Sequence, residues 1–289
     1  MQLLGGQLCP HFHVDADGKG EAKLFYRGVA IATLQSPNHV LPEGGKAPSY
    51  TLDAQLAYVR GYSDLRIDRS AEIQVQLEDI LSFFGQAARL NSRDREATLE
   101  TLALVQGLCI PLEMQIKHGT WMPRPAEIDP RVLPVIQTPD HSSFPAGHAV
   151  EPFAVATVLD RLMFPTASDG LTAWRLPYRI AHRIALNRVI AGVHFPIDII
   201  AGAVVGIAIG EAFLHVVGDY ASLGERTFRG IDYLTKDASR LVLVKAAEAA
   251  SVASVPDQTL PAGTLKDHWA KTLAEWPDSL ADSGEGEGK

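Results

Sequence analysis

The stretch NRVIAGVHFPIDIIAGAVVGIAIGEAFLHV, residues 187–216, decides how this chain folds. Pro196 suits the first turn of a helix, where a missing N–H costs nothing, so a helix begins just after His194. From Ile199 to Gly210 the sequence is the most apolar of the chain, bracketed by Asp198 and Glu211. Those twelve residues fall short of the roughly 20 that a helix needs to cross a bilayer core. The segment therefore reads as a buried core helix over about 196–216, with Asp198 in its first turn and His194 just before it.

Working outward, apolar runs predict further helices over about 147–164 and 170–191. Asn91 and Ser92 supply a start signal for REATLETLALVQGL, and Pro111 predicts a kink or restart in that helix. Ile73, Val75, Leu77, Ile80, Leu81, Phe83 and Phe84 recur at helical spacing. Two weaker helices are expected beyond about 224, and the Gly-rich, polar end DSGEGEGK reads as disordered. Upstream, HFHVDADGKGEAKLFY reads as two short strands around Asp17-Gly18, with His11 and His13 on one exposed face. The expected architecture is mainly α, a single-domain helical bundle: an N-terminal arm over 1–50, a helical catalytic domain over 51–278 and a tail over 279–289.

The formal charge of −8 argues against binding nucleic acid or anionic membrane surfaces in general, though not against a local cationic pocket. Cys9 and Cys109 are too few for a disulfide framework and lack zinc-ligand spacing. The first residues carry neither a basic segment nor a sustained apolar run, so no secretory signal is expected. A soluble cytoplasmic protein without a membrane role is the simplest expectation.

Three short motifs carry the chemistry. KHGTWMPRP holds Lys117 and Arg124, SSFPAGHA holds Gly147 and His148, and NRVIAGVHFPID holds Arg188, His194 and Asp198. Two guanidinium forks and an ammonium suit a tetrahedral oxyanion. Gly147 lets backbone approach a ligand and precedes an apolar helix, whose N-terminus attracts negative charge. Asp198 stands where it can hold one ring nitrogen of His194, fixing the tautomer and raising basicity. His148 supplies a second imidazole for proton transfer.

In order and spacing, these motifs resemble the type-2 phosphatidic acid phosphatase and vanadium haloperoxidase superfamily, with its Lys-x6-Arg-Pro, Pro-Ser-Gly-His and Ser-Arg-x5-His-x3-Asp pattern. The resemblance covers residues 117–198. It implies that Lys117, Arg124, Arg188 and the Gly147 amide bind oxyanion oxygens. It implies that His194 is the apical group, a phosphate nucleophile in the phosphatases and the vanadium ligand in the peroxidases. His148 is then the acid–base and Asp198 orients His194. Ala146 and Asn187 stand where the family has, or often has, serine. Losing the hydroxyl at 146 should cost one charge-assisted hydrogen bond, roughly 1.5–3 kcal/mol.

Both chemistries fit such a pocket, since vanadate readily adopts the shape of phosphoryl transfer at its midpoint. His141, five residues before Ala146, matches a position that is aromatic or histidine in haloperoxidases. Together with the missing spans and signal, it favours a vanadium-dependent haloperoxidase, with vanadate as cofactor on His194 and halide and hydrogen peroxide as substrates. The alternative is a phosphatase that hydrolyses a phosphate ester through a phosphohistidine and needs no cofactor. A second alternative is a non-catalytic member that binds an anion or a partner. A homodimer is expected by analogy with helical members of the superfamily.

Overall fold

The computed structural model describes residues 2–39, 50–167, 169–220, 222–249, 251–253, 255 and 264–277. The tail expected over 279–289 lies outside the described residues, as do residues 40–49 of the N-terminal arm expected over 1–50. The helices are α1 (Gln2–Leu8), α2 (Asp53–Gly61), α3 (Arg66–Val75), α4 (Glu96–Gly119), α5 (Pro125–Ile128), α6 (Gly147–Met163), α7 (Gly170–Ala173), α8 (Leu176–Ile190), α9 (Pro196–Val216), α10 (Arg240–Ala246) and α11 (Thr264–Ala274). The strands are β1 (Phe12–Ala16), β2 (Glu21–Tyr26), β3 (Val29–Gln35), β4 (Leu223–Arg229) and β5 (Ser251–Ala253). The fold is mainly α, as the helical periodicities imply.

Helix α9 is the axis of the molecule, with α6, α8, α4 and α2 packed around it. Its closest neighbour is α6, and three glycines one turn apart make that approach possible. A Cβ at Gly202 would lie 2.6 Å from the Ala146 carbonyl oxygen, one at Gly206 2.3 Å from that of Val150, and one at Gly210 2.9 Å from that of Ala154. The two backbones thus touch, and the N-terminus of α6 is drawn toward the N-terminus of α9. The motifs SSFPAGHA and NRVIAGVHFPID end at these two helix termini.

Several expectations are corrected. The core helix is 21 residues long, so the twelve-residue argument against a span does not hold. By length and composition alone, α9 and α4 could each cross a membrane, although 94% of the most apolar window of α9 is buried inside the protein. This runs against the reason given for a cytoplasmic protein. Pro111 does not restart α4 as a second helix: the helix runs through it from Glu96 to Gly119. The segment expected as helix 170–191 is split at Trp174, which caps α7 in the left-handed region at φ 55°. Beyond Val75 the chain leaves the helix and forms only a 3-10 turn over Leu81–Gln86.

The sheet was only partly expected. β1, β2 and β3 form an antiparallel meander, and β3 then pairs in parallel with β4, from Ala32 opposite Arg226 to Gln35 opposite Arg229. β4 comes from the region where only helices were expected. Its partner lies almost two hundred residues away, so local periodicity could not reveal it. Leu24, Tyr26, Ala32 and Phe228 are fully buried in the same core as α9.

Candidate active site

Helix termini position the site. Lys117 is in the last turn of α4, Arg124 is the N-cap of α5, Gly147 begins α6, Arg188 is in the last turn of α8, and His194 precedes α9. Lys117, Arg124, Arg188 and Asp198 are each at most 2% exposed. Burying so many charges is costly unless they find partners or a ligand.

His194 is the centre of the cluster. Its Nδ1 lies 3.1 Å from Asp198 Oδ2, and its Nε2 lies 3.1 Å from a terminal nitrogen of Arg124. A guanidinium can only donate, so Nε2 accepts and the ring proton sits on Nδ1, pointing at Asp198. Burial lowers the His194 pKa far below its ordinary value, and Arg124, Lys117, His148 and Arg188 push it the same way. His194 is therefore a neutral imidazole whose Nε2 lone pair faces the cations.

Asp198 orients this ring. Besides His194, its Oδ2 accepts from the Phe195 backbone N–H at 2.9 Å and from the Ser143 hydroxyl. Its backbone carbonyl accepts from the Ala146 N–H at 2.9 Å, which ties the α6 loop to α9. Burial raises its carboxyl to about 6, against the hydrogen bonds from Ser143 and Phe195.

The cations lean on carbonyl oxygens. Arg124 donates to Val193, His141 and Ser142, and Lys117 to Ser142 and Pro145. Among the described residues the Lys117 ammonium and the Arg124 and Arg188 guanidinium groups form no ion pair within 4.0 Å; Glu127 meets only the backbone N–H of Arg124. Their charge is thus uncompensated at close range, as an anion site requires. Burial pulls the Lys117 amine below the ordinary lysine range, opposed by the nearby Glu113.

Arg188 and His148 meet on the other side, through Gln76 in the turn after α3. Arg188 donates to Gln76 Oε1 at 3.0 Å and to the Ile73 carbonyl at 3.2 Å. His148 Nε2 donates to the Gln76 carbonyl at 2.8 Å. Burial, with Arg188 adding to it, holds His148 down at about 4, so it too is neutral. His141 is partly exposed, and its Nδ1 lies 3.3 Å from Arg124.

Three residues were not anticipated. Gln76 bridges Arg188 and His148. Ser143 lies within SSFPAGHA but gained no role from the sequence, and it holds Asp198. Glu113 stands one turn before Lys117 on α4. A Cβ on Gly147 would come 2.2 Å from Glu113 Oε1, so only glycine admits this carboxyl beside the start of α6. Glu113 Oε2 is buried without a hydrogen-bond partner, and burial raises its pKa well above the usual carboxylate range. The i, i+4 spacing to Lys117 was the available signal. Asn187, in the place of the family serine, donates to Gln76 Oε1 at 3.0 Å and to Glu72 at 3.2 Å.

A cavity of about 350 Å³ opens beside Lys117 and His141, lined also by Met114, His118, Trp121, Asp140 and Ser142. No group of three or more His, Cys, Asp or Glu among the described residues could hold a metal ion.

Comparison with known proteins places this region in a family context. Residues 97–221 match the model of the PAP2 superfamily, a span containing all the sequence-derived site residues. An 89-residue segment is 33% identical to the decaprenylphosphoryl-5-phosphoribose phosphatases of Mycobacterium tuberculosis strains CDC 1551 and H37Rv. That match covers 31% of this chain and 45% of each relative. The chain thus spans less than half the length of these curated relatives. The haloperoxidase expectation is corrected here, because the similar proteins are phosphatases. It rested on His141, which serves either chemistry as a neighbour of Arg124, and on the span argument that α9 removes. Over residues 97–221 the chain is thus similar to the PAP2 superfamily.

Proposed function

We propose that the protein is a phosphatase that hydrolyses phosphate monoesters through a phosphohistidine on His194. The observation that carries this reading is the Nε2 lone pair of His194, held toward Arg124 while Asp198 fixes Nδ1. An imidazole kept neutral at physiological pH is a nucleophile, and Arg124, Lys117 and Arg188 neutralise the oxygens of the phosphoryl group it attacks.

In the first step the N–P bond forms at Nε2 as the P–O bond to the alcohol breaks. The developing imidazolium keeps its Nδ1 proton, which Asp198 stabilises. The departing alkoxide takes a proton from His148. A bound phosphate dianion would raise the His148 pKa, offsetting the pull of burial and Arg188. Water, deprotonated by His148, then attacks the phosphohistidine, releasing phosphate and restoring both histidines. Gln76 now occupies the His148 N–H and the Arg188 guanidinium, and substrate oxygens must take its place at both.

The leaving group has a place in the 350 Å³ cavity beside Lys117, whose Met114 and Trp121 offer apolar walls. This favours an ester whose alcohol carries an apolar portion; the mycobacterial relatives are named for a decaprenylphosphoryl compound. The test is to assay phosphate-ester hydrolysis and vanadate-dependent bromide oxidation on one preparation. Ester hydrolysis inhibited by orthovanadate is the expected result. Bromide oxidation without ester hydrolysis would refute the reading.

A further inference from the structure

A groove of about 520 Å³ lies between the α3–3-10 segment and α8, and the phosphatase site uses none of the residues that line it. Its charged side chains are Arg69, Arg179, Arg183 and Glu72, three positive against one negative. Glu72 is already engaged: Arg183 pairs with it, Arg69 lies 3.7 Å away, and Asn187 donates to it at 3.2 Å. Arg179 is exposed, and among the described residues its guanidinium forms no hydrogen bond or ion pair within 4.0 Å. It stands in the first turn of α8, a 15-residue helix whose N-terminus adds partial positive charge. His182 adds no charge, because burial lowers its pKa, against the hydrogen bond from its Nε2 to the Ala238 carbonyl.

Flat rings accompany these charges. Phe83 and Trp174 both line the groove, and neither is fully buried. Trp174 is held at φ 55°, a left-handed conformation that aromatic residues rarely adopt. Its ring meets His182 edge-on at 5.4 Å. Leu176, Ile180 and Leu186 complete an apolar floor.

We propose that this groove is a second binding site, for a small anion carrying a flat aromatic ring, of the nucleoside phosphate class. The phosphate oxygens meet Arg179 and Arg183, and the ring stacks against Trp174 or Phe83. Inorganic phosphate would use only half of the site, and an uncharged nucleoside only the other half.

Trp174 makes the test direct. Adenosine 5′-diphosphate is titrated against the His194→Ala protein, which removes turnover, while tryptophan fluorescence is followed. A saturable change is expected, lost in Trp174→Phe. Calorimetry should still detect binding to the latter. Arg179→Glu, an exposed substitution that breaks no contact, should weaken binding about tenfold or more. Arg124→Ala, which damages the phosphatase pocket, should leave it unchanged. Equally tight binding of tripolyphosphate or of adenosine would overturn the proposal. So would no saturable change, or affinity that follows Arg124 rather than Arg179.

Discussion

Replacing Asp198 by asparagine removes one buried ionisation from both folding and chemistry. Burial raises this carboxyl from an ordinary 3.8 to about 6. Its folded pKa lies above its unfolded value, so the native state holds the proton more tightly. The corresponding stability is complete below the unfolded pKa and is lost as pH rises through the folded one. A gap of about two pH units is worth about 3 kcal/mol at ~1.4 kcal/mol each. His194, whose pKa is lowered, contributes in the opposite sense, but it is present in both proteins and cancels in the difference. The expected result is that wild type loses roughly 3 kcal/mol relative to Asp198→Asn between pH 4 and pH 7. Urea unfolding at four or five pH values measures this. The same substitution should lower kcat by about 10²–10⁴, because the amide no longer fixes the Nδ1 proton of His194. Parallel stability profiles for the two proteins, or unchanged turnover in the variant, would refute this reasoning.

Other perturbations give independent checks. Lys117 has a lowered pKa, so kcat/KM should fall on an alkaline limb below the ordinary lysine value of about 10.4. In Lys117→Arg that limb should move out of the measurable range. Gly206→Val places atoms where the Val150 carbonyl already sits and should destabilise the fold by about 3 kcal/mol or more in thermal unfolding. Ser143→Ala removes one of three donors to Asp198 Oδ2, so activity should fall about tenfold with little change in KM. Ala146→Ser restores the hydroxyl of the family motif. If its side chain faces the anion, phosphate should compete about tenfold more strongly.

The site was legible where its residues fall within short motifs at helix ends. Pro196 announced the start of α9, and Gly147 that of α6, so His194, Asp198 and the α6 N-terminus could be anticipated from local signals alone. Gln76 could not, because it reaches Arg188 and His148 from a turn 112 and 72 residues away in sequence. Glu113 was hidden for a related reason, since its meaning depends on α4 lying against Gly147. The helical periodicity near 73–84 misled because Ile73 is buried from α3, Ile80 from the turn beyond it and Phe84 from the 3-10 segment, rather than all from one continuous helix. Pro111 misled because α4 absorbs one missing hydrogen bond while packed against its neighbours. The extent of α9 was read as about 196–216, as the structure has it, but the argument against a span counted only its uninterrupted apolar run. Phe213, Leu214 and Val216 extend the buried surface past Glu211, whose carboxylate is held by Arg226.

The central claim is that phosphoryl transfer passes through His194. Its most direct test is a rapid acid-free quench of the enzyme with a ³²P-labelled monoester of an apolar alcohol, followed by peptide mapping. The account expects an alkali-stable, acid-labile label on the peptide containing His194, formed within one turnover and absent from His194→Ala. Ester hydrolysis that proceeds at the wild-type rate in His194→Ala, or a label on another residue, would contradict it.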